Sequence, residues 1–266
     1  MSVKIAVVYY SATGAVHALA EALAEGARAT GAEVRLRRVA ELASDAAIDQ
    51  NPRWRRHADA TAGVGIATVD DLAWADAMAF GTPTRFGTPA AQLKQFIDQA
   101  GGLWNEGGLA DKPVTAFTSA YNRHGGNEAT LLSLANVFYH WGALIVPPGF
   151  TDPAVYAAGG NPYGTSAVTG PSGDDLQPAV LDAARYQGRR LARTALRWQA
   201  GAALTGGAPA HAPNADADTN AEADTNAEAD TNAEADTNAE ADTSAEADTN
   251  AEADTSAEAD RASQTA

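Results

Sequence analysis

Residues 3–23 read VKIAVVYYSATGAVHALAEAL, and the fold turns on how this stretch is read. Val3–Tyr10 is a near-continuous apolar run broken only by Lys4, the pattern of a strand covered on both faces. Ser11-Ala12-Thr13-Gly14 is a short hydroxyl-rich turn. Val16, Leu19 and Leu23 then recur on one helical face. A strand that passes directly into a helix opens a β-α-β unit, and such units imply a parallel sheet with right-handed crossovers.

Four more apolar runs read as strands: Glu33–Arg38, Ala75–Gly81, Pro113–Ser119 and Ala143–Pro147. Helical stripes alternate with them. Leu93, Phe96, Ile97 and Ala100 form one, and Leu131, Leu134 and Phe138 another. Leu181, Ala184, Gly188, Leu191, Ala195 and Trp198 form the last. The pattern predicts an α/β fold with a doubly wound five-stranded parallel sheet of order 2-1-3-4-5. A ligand is expected at the carboxyl ends of the strands, where the order reverses. Residues 44–70 and 149–177 exceed what this plan needs and read as long connections.

The composition divides the chain in two. It has 266 residues, no cysteine and a formal net charge of −16. From Ala217 to Glu258 the unit ADTNAE, twice ADTSAE, repeats seven times. Residues 209–266 hold 16 acids and one base, whereas residues 1–208 hold 18 acids and 17 bases. After Leu204 alanine is the only apolar residue type, too little to offset the entropy of ordering. The expected organisation is a ligand-binding domain over residues 1–201 and a disordered, solubilising acidic tail over 202–266. The tail's Asp/Asn spacing lacks the glycine and terminal glutamate of a calcium loop. Without cysteine there are no disulfides, thiolate metal sites or redox dithiols, so redox chemistry needs a bound cofactor. No metal site is expected. No secretory signal or membrane-length apolar run is present, and a cytoplasmic location is expected.

Four loops carry candidate chemistry. Ser11, Ala12, Thr13, Gly14, Ala15 and Val16 join the first strand to a helix, where free N–H groups and the helix dipole favour a phosphate. No GxGxxG or GxxxxGK[ST] motif is present. No lysine stands in this turn, which suits a single phosphomonoester; an ordinary Ser/Thr helix cap is the bland alternative. Gly81–Pro89 (GTPTRFGTP) is a rigid loop projecting Arg85 and Phe86, suited to a planar ligand or simply to a well-made turn. Ser119–Gly126 (SAYNRHGG) carries Tyr121, Arg123 and His124. Gly101–Trp104 (GGLW) offers an indole either to a binding wall or to packing.

On these residues the chain resembles the WrbA family of flavodoxin-like NAD(P)H:quinone oxidoreductases. The likeness runs from Val3 to about Trp198. It rests on VVYYS at 7–11, FGTPTRFG at 80–87, QAGGLW at 99–104, HGGNEAT at 124–130, LIVPPG at 144–149, NPYGTSAVTG at 161–170 and ARYQG at 184–188. The resemblance implies FMN as cofactor. Its phosphate would be held by Ser11 to Val16, and its ring flanked by Thr84, Arg85 and Phe86. Ser119, Ala120, Tyr121, Asn122, Arg123, His124 and Gly125 would take the other edge. Trp104 matches the family's substrate-site tryptophan, and Thr13 stands where the family often has a tyrosine linked to the NAD(P) site. Trp141 takes the place of a histidine associated with FMN, as a stacking wall. A homotetramer is implied, with the insertion containing Pro162-Tyr163-Gly164 closing a neighbour's site.

The implied activity is hydride transfer from NAD(P)H to FMN and two-electron reduction of a quinone. No catalytic side chain is assigned; His124 is the nearest candidate acid. Two other readings compete with it. One is a flavodoxin-like electron carrier without NAD(P)H activity, and the other is a flavin-free interaction protein that keeps only the fold.

Overall fold

In the computed structural model, which describes residues 2–170 and 176–205, the opening run forms β1 (Lys4–Tyr9) and the turn feeds α1 (Ala15–Arg28). β2 (Glu33–Arg38) follows, then three short helices, α2 (Asp45–Asp49), α3 (Pro52–Ala60) and α4 (Val69–Trp74). The chain continues through β3 (Ala77–Arg85), β4 (Thr88–Pro89), α5 (Ala91–Asp98), α6 (Gly101–Asn105), β5 (Pro113–Ala120) and α7 (Asn127–His140). β6 (Leu144–Ile145), α8 (Pro153–Ala157), β7 (Ser166–Val168) and α9 (Pro178–Thr205) complete the described residues. The acidic repeat expected to be a disordered tail lies outside them.

The main path of the sheet is β2-β1-β3-β5-β6, all parallel. This is the expected order, with two short strands added. β4 turns back antiparallel on the end of β3, and β7 pairs in parallel with the end of β5. The third strand therefore does not stop at Gly81. It runs on to Arg85 and folds into a hairpin, so the expected rigid loop is mostly strand.

The last sheet position is split. β6 pairs with the start of β5 (Pro113↔Leu144), and β7 with its end (Thr118↔Ser166). Between them Gln187 of α9 replaces the missing strand. Its Nε2 donates to Thr115 Oγ1 and Ala116 O, both at 2.7 Å, and its Oε1 accepts from Thr165 N at 2.8 Å. A buried amide thus satisfies backbone groups that an interrupted strand leaves open.

Residues 44–70 are not a bare connection. Ser44 accepts from Ala47 N to start α2. Asn51 accepts from Arg53 N and Trp54 N, with Pro52 opening α3. Asp71 accepts from Thr68 N at the start of α4. Three capping residues thus carry the segment into helices without a long apolar stripe.

Side-chain alternation along β1 sends Ile5, Val7 and Tyr9 to one face, against Leu19, Leu23 and Leu191 of α1 and α9. Ala6, Val8 and Tyr10 face the other layer, with Phe80, Leu93 and Phe138. α1 and α9 cross at paired glycines. A Cβ on Gly26 would lie 1.9 Å from Arg185 O, and one on Gly188 would lie 2.0 Å from Leu23 O. Only glycine permits that approach. The crossing fixes α1, and with it the turn at the carboxyl end of β1. Among the described residues no helix is long and apolar enough to cross a membrane.

Candidate functional site

The carboxyl ends of β1, β3 and β5 border a cleft of about 490 Å³. From β1 it receives Ser11, Ala12, Thr13, Ala15 and Val16. Gly14 N donates to Ser11 Oγ at 3.1 Å, closing the turn. Gly14 takes φ 108°, a left-handed conformation that suits glycine, at the N-cap of α1. Among the described residues no side chain caps this 14-residue helix. Its first-turn N–H groups and the positive dipole end remain free for an anion.

The second wall comes from the β3–β4 hairpin. Pro83, Thr84, Arg85 and Phe86 line the cleft. Thr84 Oγ1 accepts from the buried Thr130 Oγ1 at 2.8 Å and donates to Gly125 O at 3.3 Å, which pins the hairpin to the start of α7. Thr88 Oγ1 donates to Arg85 O at 2.9 Å across the turn. At its tip Phe86 is fully exposed and takes φ 52°. An aromatic ring turned wholly to water from a left-handed backbone is costly for the free protein.

The third wall is the end of β5. Ser119, Ala120, Tyr121, Asn122 and Gly125 line it, joined by Thr169 after β7. Thr169 N donates to Ala120 O at 2.9 Å, and Gly170 N to Tyr121 O at 3.0 Å, so the split strand also braces this wall.

Below the loop, Tyr10 Oη donates to Glu41 Oε2 at 2.9 Å, and Gln92 Nε2 donates to Glu41 Oε1 at 2.7 Å. Burial alone would raise the Glu41 carboxyl. Hydrogen bonds from Ala43 N, Gln92, Tyr10 and Leu42 N outweigh it and hold the group below its usual range. Burial and the adjacent Glu41 push the Tyr10 phenol up, so it stays protonated and donates. The network ties the end of β1 to α5 and to the segment after β2.

Most of the residues singled out in the sequence meet in this cleft. Gly14 supports it without lining it. Arg123 and His124 are exposed on the same loop, and Arg123 faces an adjoining hollow beside Gly159 and Val168. Trp104 and Trp141 are not brought to the cleft. They border a separate depression of about 370 Å³ with Lys94, Ile97 and His140. Trp104 Nε1 donates to His140 O at 2.8 Å, and Trp141 is buried edge-on to Phe80. The cause is topological. Helices of a parallel sheet run against the strands, so residues that follow α5 and α7 and precede β5 and β6 lie at the strands' amino ends. Pro83, Thr130 and Thr169 were not singled out. All three stand inside quoted motifs, but Thr130 and Thr169 act through contacts distant in sequence, to Thr84 and Ala120.

The cleft's donor set fits FMN. An uncapped helix N-terminus with Ser11 and Thr13 suits its phosphate, and the two facing walls with an exposed phenyl ring suit a flat heterocycle.

Residues 3–155 match the family model described as NADPH-dependent FMN reductase. A protein of Deinococcus radiodurans named NAD(P)H dehydrogenase (quinone) is 46% identical over 188 residues, 71% of this chain and 93% of that protein. One of the same name from Cupriavidus metallidurans is 44% identical over 197 residues, covering 72% and 96%. Among solved structures, the flavodoxin-like, WrbA-like protein of Agrobacterium tumefaciens superposes with a TM-score of 0.51 at 27% identity. That match covers 74% of this chain and 99% of that one.

Proposed function

This chain belongs to the NADPH-dependent FMN reductase family, and from that premise we propose that it is an FMN-dependent NAD(P)H:quinone oxidoreductase. It takes a hydride from NAD(P)H and reduces a quinone by two electrons. The observation that carries the reading is the cleft itself, in which an uncapped helix start and two opposed walls converge at the carboxyl ends of β1, β3 and β5.

Bound there, FMN supplies redox chemistry that no side chain of a cysteine-free protein offers. Ser11, Thr13 and the first-turn N–H groups of α1 hold the phosphate, with Ala12, Gly14, Ala15 and Val16 shaping the turn. Thr84, Arg85 and Phe86 form one wall, and Ser119, Ala120, Tyr121, Asn122 and Gly125 the other. Arg85 and the backbone N–H groups of these walls favour negative charge on the ring side of the cleft. Phe86 shields that side from water. With a single open face of the ring, nicotinamide and quinone would bind there in turn.

The proposal extends to assembly. A homotetramer would let Trp104, exposed at the far rim of one copy, serve the cleft of another. Phe150 and Tyr156 form an exposed stacked pair on the segment after β6, and Tyr163 is exposed nearby, apolar surface of the kind subunits cover. A domain that continues past the expected 201 boundary to the end of α9 at Thr205, the solubilising acidic extension and a cytoplasmic location are parts of the same proposal. Light scattering on the purified protein tests the tetramer. Steady-state oxidation of NADH and NADPH with benzoquinone tests the activity. Parallel lines in double-reciprocal plots are expected, whereas flavin binding without NAD(P)H oxidation would favour the electron-carrier reading.

A further inference from the structure

Behind the turn of residues 11–16 lies a cluster that the cleft does not contain. Tyr9 Oη hydrogen-bonds His17 Nδ1. Burial, reinforced by Glu21, pushes the Tyr9 phenol up, so its hydroxyl keeps its proton. His17 Nε2 stands 3.4 Å from Glu21 Oε1. The ring of His57, from α3, lies with its centroid 5.4 Å from that of His17. His57 also packs on the turn itself: its Nδ1 is 3.5 Å from the point where a Cβ on Gly14 would stand. A cavity of about 60 Å³ reaches from His57 to Ser11, with Arg38 and Glu41 on its wall. That is room for one or two waters.

The charges around His57 are unbalanced. His17 of α1 and Arg38 of β2 stand on the cationic side. Glu21 is engaged with His17, and Glu41 is held by Tyr10 and Gln92. On α3 itself Arg55 takes up Asp59 as well as Asp45 and Asp49. Among the described residues no carboxylate pairs with His57. Burial first, then His17 and Arg38, hold its imidazolium down to about 4. A cation at this position lacks a counter-charge, and an anion seated on the turn of residues 11–16 would supply one.

We propose that His57 is a positioning residue for the cofactor's phosphate, so that the phosphate and a proton on His57 bind together. His17 is tied instead to Tyr9 and Glu21. The inference rests on reading residues 11–16 as the phosphate turn, and it deepens that reading. It distinguishes FMN from riboflavin, which has the same ring and no phosphate. It also predicts a pH dependence that a purely steric role for His57 would not give, since each unit by which the phosphate raises the His57 pKa is worth about tenfold in affinity at low pH.

The test is flavin-fluorescence titration of the full-length, cofactor-free protein with FMN and with riboflavin, at about pH 8 and about pH 5.5. Native protein and His57→Gln are compared at each pH, which cancels the titration of the FMN phosphate itself. The native advantage for FMN is expected to grow about fivefold between the two pH values, with no change for riboflavin. Imidazole NMR of the unsubstituted protein gives a second reading that needs no variant. One histidine midpoint is expected to rise with FMN and to stay put with riboflavin. An advantage that does not change with pH, an equal effect on riboflavin, or no histidine midpoint that moves with FMN would overturn the role of His57. Failure of FMN to bind more tightly than riboflavin at either pH would instead overturn the phosphate turn.

Discussion

Phe86 combines two costs in one residue, an apolar ring in water and a left-handed backbone. Such strain persists where a ligand makes use of it. Phe86→Gly is expected to leave the melting temperature of the cofactor-free protein unlowered, because relief of roughly 1 kcal/mol of left-handed strain offsets the entropy of glycine. The same change is expected to weaken FMN by about tenfold, the loss of a buried aromatic contact. Fluorescence titration beside a thermal melt checks both. His57 carries the second residue-scale prediction. Its folded pKa of about 4 lies below the usual 6.5. The unfolded chain therefore takes up a proton that the folded chain refuses as pH falls through this window. Stability of the cofactor-free protein is expected to decline from pH 6.5 to about 4, and His57→Gln to show a shallower decline in melting temperature. Thr84, Arg85 and Phe86 were legible because a compact motif carries them. His57 was not, because a histidine in a polar helix gives no local sign of the turn it will meet.

At the scale of elements, the strand-turn-helix of residues 3–23 and the alternation after it were enough to give the order β2-β1-β3-β5-β6. Three features escaped that reading. β3 hides its continuation because Thr82-Pro83-Thr84 looks like a turn, yet its end pairs with β4 rather than with a central strand. β7 is three residues long and is separated from β6 by α8, so no apolar run announces it. The helices of residues 44–70 are set by caps rather than by periodicity. Trp104 and Trp141 show a different gap. Their motifs were recognised, but the direction of the helices, and not the motif, decides which rim they reach. The crossing of α1 and α9 was visible only as a glycine within a helical stripe. Gly188→Val would drive a side chain into Leu23 O and Ala27 N. A loss of about 3 kcal/mol in urea denaturation is expected, with flavin affinity falling as well because α1 carries the phosphate turn. An unchanged midpoint would mean that the helices part without cost.

For the whole molecule, charge and chemistry separate along the chain. The formal charge of −16 belongs almost entirely to residues 209–266, and residues 1–208 are nearly neutral. The anionic cofactor and the nicotinamide phosphates thus approach a domain that does not repel them. The parallel sheet gathers three strand ends into one cleft, and the opposite rim gathers the two tryptophans. The family places the chain among flavin-dependent reductases, and the cleft gives that chemistry a location. The central claim is that this cleft binds FMN and passes electrons from a nicotinamide to a quinone. The most direct measurement is an anaerobic absorbance experiment on the FMN-loaded protein. Addition of NADH or NADPH is expected to bleach the visible flavin band, and benzoquinone to restore it, within the turnover time of the steady-state reaction. A protein that binds FMN yet keeps its band unchanged with both nicotinamides would contradict the account.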